Sequence, residues 1–120
     1  MEDRITINGI EYFRADDANK QAQEVDGMPY VIVRSDKAGV FAGYLARRDG
    51  QEVDMRNVRR LWFWSGAASL SQLSVDGVSK PDNCKFSVPV SEQTILTVIE
   101  IIPATEKARK SVQAVPEWKA

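Results

Sequence analysis

Apolar and polar residues alternate over several short stretches of this chain, and turn residues separate the stretches. Asn8-Gly9 lies between alternating apolar residues, which is the strongest short-range signal for a two-residue β-hairpin. Residues 30–35 and 40–48 are predicted strands joined by a polar turn, and Asp49-Gly50 closes the next hairpin. We therefore expect these strands to be antiparallel neighbours.

The densest aromatic block, residues 59–64, is predicted to form the central strand. Residues 51–55 are expected to pair back on the preceding strand, and Arg56-Asn57 to turn the chain into the aromatic block. Because side chains alternate along a strand, its two faces carry different sets. The sets are Arg59, Leu61 and Phe63 on one face, and Arg60, Trp62 and Trp64 on the other.

Two helices are predicted in the second half of the chain. The first begins near Gly66, and Gly77 stands where a left-handed C-terminal cap belongs. Residues 85–90 are predicted to form an edge strand, and the β-branched run 95–102 a single well-buried strand. The second helix begins at Thr105. The pattern as a whole predicts an α+β fold, an antiparallel meander sheet with two helices packed on it and an N-terminal β-hairpin.

Composition indicates one domain with one core, since the chain has 120 residues of which 43% are hydrophobic. Within that domain we expect an N-terminal hairpin at residues 1–14, a polar linker at 15–28 and the core at 29–120. No apolar run is long enough to span a bilayer and no leader pattern is present, so the expected location is the cytoplasm, with no membrane partner. The net charge of -1 argues against a stable nucleic-acid partner.

The residue types present leave little room for catalysis. The sequence has no histidine and a single cysteine, Cys84, which excludes Ser-His and Cys-His nucleophilic pairs and a zinc site. The carboxylates are scattered, without the spacing of a metal or acid–base pair, and the glycines make no Rossmann or P-loop fingerprint. We therefore expect a protein that is not an enzyme and that needs no cofactor or metal.

Aromatic and basic side chains of the central strand are the candidate ligand site. Arg60, Trp62 and Trp64 offer a surface on which a nucleobase stacks, although aromatic residues on a strand more often belong to the core. The small residues 65–69 follow directly and suit the approach of a phosphate to helix-start amides.

The Arg59-Arg60 pair is the candidate phosphate site. A guanidinium binds phosphate in a planar, bidentate way, so at least one of the two arginines is a candidate ligand. The alternative is a surface ion pair with a carboxylate such as Asp54 or Glu52.

Five further polar residues are candidates in the second half of the chain. They are Asn83, Lys85, Thr105, Lys107 and Arg109. Asn83 either occupies a left-handed turn position or reads the edge of a base or ribose. The basic residues of the last helix either form a solvated face or, if the fold brings them to the Arg59-Arg60 pair, extend the phosphate site.

Five segments of the chain resemble the anti-Thoeris sponge family of small phage and prophage proteins. They are AGVFAGYL (38–45), RRLWFWSGAASLSQL (59–73), KPDNCKF (80–86), VIEIIPATEKA (98–108) and VPEWKA (115–120). The resemblance covers most of the chain after Tyr30 and leaves the N-terminal hairpin outside.

The resemblance implies a non-enzymatic phage protein that sequesters cyclic nucleotide signals of bacterial immunity. The chief signal would be glycocyclic ADP-ribose made by TIR-domain enzymes, with cyclic oligonucleotides of CBASS defence as further ligands. It also implies self-assembly into a homo-oligomer, a dimer or a trimer of dimers, with pockets between protomers. The alternative functions are a phage protein that binds single-stranded nucleic acid and a module that blocks a host protein.

Overall fold

The computed structural model describes residues 6–7, 10–11 and 20–120. Its elements in chain order are β1 (Thr6–Ile7), β2 (Ile10–Glu11), β3 (Tyr30–Ser35), β4 (Gly39–Asp49), β5 (Glu52–Phe63), α1 (Leu70–Asp76), a 3-10 turn (Pro81–Asn83), β6 (Lys85–Phe86), β7 (Val90–Ile95), β8 (Val98–Pro103) and α2 (Glu106–Ala114). The fold is α+β, as predicted, and the described residues form a six-stranded antiparallel sheet, the separate β1–β2 pair and two helices. No helix in the described ranges is long and apolar enough to cross a membrane.

The sheet has the order β6-β5-β4-β3-β8, and β7 pairs with β5 on the same edge as β6. The predicted N-terminal hairpin is present as a separate pair, β1 and β2, in which Ile7 is opposite Ile10. Its Asn8-Gly9 turn lies outside the described residues, as do residues 12–19 of the predicted hairpin and linker.

Residues 20–28, the described part of the predicted linker, are bonded to the core. The Ala22 amide donates to the Ala104 carbonyl (2.9 Å), and the Glu106 amide donates to the Lys20 carbonyl (2.9 Å). Ala22 is buried. This segment therefore lies along the start of α2. Its backbone is the hydrogen-bond partner of the Ala104 carbonyl and the Glu106 amide, which would otherwise need water.

The sheet has two buried faces. One face packs on both helices through residues such as Tyr30, Ile32 and Leu61. The other face encloses a second cluster, to which Val33 and Phe41 belong. Strands from both edges of the sheet, β7 and β8, contribute residues to this second cluster, so the sheet curls around it.

The curl closes at Leu96-Thr97, where the chain crosses from β7 to β8. The predicted single strand 95–102 is wrong, because Thr97 has a positive φ of 53° and breaks the run into two strands with different partners. The Asp36 amide donates to the Thr97 carbonyl, and the Val98 amide to the Gln51 carbonyl, both at 2.9 Å. These bonds tie the crossing to two hairpin turns.

A β-bulge replaces the predicted turn at Arg56-Asn57, and β5 continues through it. Tyr44 is opposite Arg56 whereas Ala42 is opposite Arg59, so β5 carries one extra residue. Asn57 takes the left-handed conformation, with φ of 49°. The extra residue shifts the alternation, so the β5 residues that follow it face the opposite way from an unbroken strand.

The helix boundaries differ from the prediction at one end only. Helix α1 begins after Ser69, whose Oγ accepts from the Gln72 amide (3.1 Å), instead of near Gly66. Gly77 ends it as predicted, with positive φ but an extended ψ, and a Cβ there would lie 2.3 Å from the Ser111 Cβ. Thr105 is the N-cap of helix α2, which starts there as predicted. The predicted strand 85–90 is reduced to β6, and β7 starts after its proline.

We predict that the conformation of Asn57 is required for stability. Asn57→Val should lower the free energy of unfolding by about 1–2 kcal/mol, because a β-branched residue disfavours the left-handed region. Asn57 is exposed, so lost packing does not contribute. The matched variant Asn57→Gly should stay within about 0.5 kcal/mol of wild type in urea unfolding. Equal losses in both variants would contradict the bulge argument.

Candidate functional site

Arg59 is a structural residue and is not available to a ligand. It is 3% exposed, and its guanidinium donates to five backbone carbonyls. The shortest bonds, all 2.8 Å, reach the carbonyls of Ser87, Val112 and Val115. Burial lowers the pKa of this guanidinium. Arg59 is therefore neither the predicted phosphate ligand nor the alternative surface ion pair.

The candidates on α2 are also explained by the fold. Thr105 is buried, and its Oγ1 accepts from the Ala108 amide (3.0 Å) and donates to the Val75 carbonyl (2.6 Å). Lys107 lies 3.6 Å from a carboxylate oxygen of Asp76 at the end of α1. These contacts cap α2 and tie it to α1.

Arg109 is bonded to its own helix. It donates to the carboxylate of Glu106 and to Gln113 Oε1 (2.7 Å). The mutual hydrogen bonds raise the pKa of Arg109 and lower that of Glu106. Beside this pair lies an open cavity of about 430 Å³, which Tyr44 and residues 23–25 also line. The cations of α2 are not joined with Arg59 in one phosphate site.

Trp64 and Asn83 are two further candidates, and the fold places them in different surroundings. Trp64 is half-buried and packs on the cluster between the sheet and the helices. This position agrees with the alternative that aromatic residues of the strand belong to the core. Asn83 is exposed at the end of the 3-10 turn, and its amide donates to the Lys80 carbonyl (3.0 Å).

Two predicted site residues do come together, at the end of β5, and they are joined by Trp118. Trp62 is 65% exposed and Trp118 is 50% exposed. Their rings are stacked, with centroids 6.4 Å apart and planes inclined by 19°. The Lys85 ammonium lies 5.3 Å from the centroid of Trp118. We call Trp62, Trp118 and Lys85 the indole surface.

The C-terminal tail positions Trp118. The Trp118 amide donates to the Phe86 carbonyl (2.9 Å), and Glu117 forms a parallel bridge with Phe86. The tail therefore runs along β6 and places its indole beside Trp62. Trp118 was not among the sequence candidates, because only the pairing of the tail with β6 brings it to Trp62. The available signal was the segment Pro116-Glu117-Trp118, in which a proline follows the end of α2 and an aromatic residue comes two positions later.

Arg60 lies against β4. Its guanidinium sits over the Phe41 ring, 4.9 Å from the centroid. It lines an open groove with the β3–β4 turn and the end of β7. Arg60 and Trp62 therefore do not form the predicted single platform with Trp64.

No metal site is indicated in the described ranges, where no group of three or more Cys, Asp or Glu side chains is placed to hold an ion. Cys84 is buried, and its thiol donates to the carbonyls of Ser65 and Lys80. Its surroundings are those of a small core residue.

Residues 28–112 match the family described as "Domain of unknown function (DUF6948)", and the chain belongs to this family. No curated protein and no solved structure matches the chain. Trp62 and Lys85 lie inside the matched region, whereas Trp118 lies beyond its end.

We predict that Arg59 is required for folding. Arg59→Lys should lower the free energy of unfolding by about 2–4 kcal/mol, because lysine lacks the planar fork and leaves buried carbonyls unsatisfied. Arg34→Lys is the control, since Arg34 is exposed and Glu100 is its one carboxylate partner among the described residues. A fully stable Arg59→Lys protein in urea unfolding would contradict the structural role.

Proposed function

We propose that this chain is a non-enzymatic binding protein that holds a nucleotide by stacking its base on the indole surface. The observation that carries the proposal is the stacked pair Trp62 and Trp118, which remains 65% and 50% exposed in a folded domain. Large exposed aromatic rings are unfavourable in water and mark binding surfaces. A base extends the stack on the open part of Trp62.

Lys85 gives the surface its preference for an anionic ligand. Its ammonium lies over Trp118 and, among the described residues, no carboxylate lies within 4.0 Å of it. The neighbouring Lys119, by contrast, is 3.3 Å from Glu117. One available cation beside an aromatic stack suits a compact nucleotide, which presents a base and a phosphate close together.

A compact ligand is favoured over a nucleic-acid strand. Binding along a strand requires a basic track that follows several phosphates. Here the net charge is -1, and Arg59 and Arg109, two of the predicted basic candidates, are bonded within the protein. Single-stranded nucleic acid is therefore the second candidate and becomes an outcome of the test.

The most specific form of the proposal is sequestration of glycocyclic ADP-ribose in the cytoplasm of a phage-infected cell. It rests on the resemblance of the five segments to the anti-Thoeris sponges. This ligand has one adenine to stack and one pyrophosphate to neutralise, so the indole surface offers a partner for each part. Sequestration requires slow release and no chemistry, which is consistent with a sequence that lacks histidine.

We predict that glycocyclic ADP-ribose binds in calorimetric titration at micromolar concentration and is recovered intact after the complex is heated. Trp62→Leu should weaken binding at least about tenfold, since a base–aromatic stack contributes about 1–3 kcal/mol. Phe63→Leu is the matched control. Phe63 is a 51% exposed aromatic residue on the same strand but outside the stacked pair, so its loss should change affinity less than about threefold.

Three results would count against the proposal. Recovery of a cleaved ligand would indicate an enzyme, and equal loss in the Phe63 and Trp62 variants would indicate general adhesion to aromatic surface. Absence of binding to glycocyclic ADP-ribose and to cyclic oligonucleotides, together with salt-sensitive retardation of single-stranded DNA, would favour the nucleic-acid function.

A further inference from the structure

Arg60 has a buried polar atom that the fold leaves unsatisfied. Among the described residues, its Nε is buried and has no hydrogen-bond partner. Buried polar groups in native proteins are almost always bonded, so an exception calls for a water, an ion or a ligand. A cation is an unfavourable group to leave in this state.

The neighbouring contacts do not satisfy this nitrogen. The guanidinium lies 4.9 Å from the centroid of the Phe41 ring, which attracts the face of the cation. The N–H groups point outward in the guanidinium plane and still require acceptors. Arg59, the preceding residue, shows the satisfied arrangement, with every bond made to a backbone carbonyl.

The groove beside Arg60 has room for a small molecule, with a volume of about 360 Å³. Lys37 provides a second cation at its rim, and no carboxylate of the described residues lies within 4.0 Å of that ammonium. Leu96, which is 56% exposed, contributes apolar surface. Charge and apolar area are thus adjacent in one groove.

We infer that Arg60 and Lys37 bind the oxyanion of a small organic molecule, a carboxylate or a phosphate, whose apolar part lies on Leu96. Both oxyanions accept two hydrogen bonds from the edge of a guanidinium that contains Nε. This site is separate from the indole surface and goes beyond the proposed function. None of the three residues of the indole surface lines this groove, and Arg60 contacts Phe41 of β4 whereas Trp62 stacks on the tail.

The side-chain Nε–H resonance of Arg60 reports directly on this site. The full chain with ¹⁵N-labelled arginine is titrated with sodium phosphate, sodium acetate and phenyl phosphate at constant ionic strength, and Arg60→Lys assigns the resonance by its loss. We expect a saturable shift of the Arg60 signal with at least one oxyanion. Phenyl phosphate should bind at least fivefold more tightly than inorganic phosphate if the apolar wall is used. Lys37→Gln should weaken the binding at least threefold.

Arg34 provides the internal control, because its Nε already donates to Glu100 at 2.8 Å and should not shift. Saturation by acetate alone would assign the site to carboxylates, and saturation by phosphates alone to phosphate esters. Shifts of Arg60 and Arg34 that are equal and do not saturate would overturn the inference. So would an unresponsive Arg60 signal that exchanges slowly with solvent, since a buried water would then satisfy Nε.

Discussion

The buried guanidinium of Arg59 is the interaction on which the rest of the structure depends. It donates hydrogen bonds to backbone carbonyls of two segments that are distant along the chain, Phe86–Ser87 beside β5 and Val112–Pro116 at the end of α2. The last carbonyls of a helix lack partners within the helix and carry partial negative charge. A guanidinium there supplies hydrogen-bond donors and also complements the helix dipole. The same Phe86 carbonyl receives the Trp118 amide. Arg59 thereby holds the strand, the helix end and the tail that completes the indole surface.

Asn57 determines where Arg59 and Arg60 point. If β5 ran through Asn57 without a bulge, the alternation that buries Met55 in the enclosed cluster would carry Arg59 into the same apolar space. With the bulge, Val58 takes that place and Arg59 turns to the helix end. Arg60 is left over Phe41 at the open groove. One left-handed residue therefore decides which of the two adjacent arginines faces the helix end, and only the other retains hydrogen-bonding capacity for a ligand.

Sequence patterns predicted what depends on local structure. Alternation gave the strands, and Thr105 and Gly77 gave correct helix ends, because caps and turns involve neighbouring residues. Strand pairing, the burial of Arg59 and the position of Trp118 depend on partners that are distant along the chain. The run 95–102 is apolar enough for one strand, yet its halves pair with β5 and β3. An Arg-Arg pair is expected at a surface, and nothing local shows that helix-end carbonyls will bury Arg59. The stacking partner Trp118 depends on the tail reaching β6.

The indole surface exists because the sheet continues past its core. Leu61 and Phe86 are the last buried pair on β5 and β6, and beyond them no strand or helix of the described residues buries Trp62 and Phe63. The tail covers Trp62 on one side. Arg59 donates to the carbonyl of Val115, where α2 ends and the tail begins, so the position of the tail is tied to the core. A tail that only shielded an apolar ring would bury it, whereas here both indoles stay half or more exposed. Rigid support together with an open aromatic face is the arrangement that a stacking ligand requires.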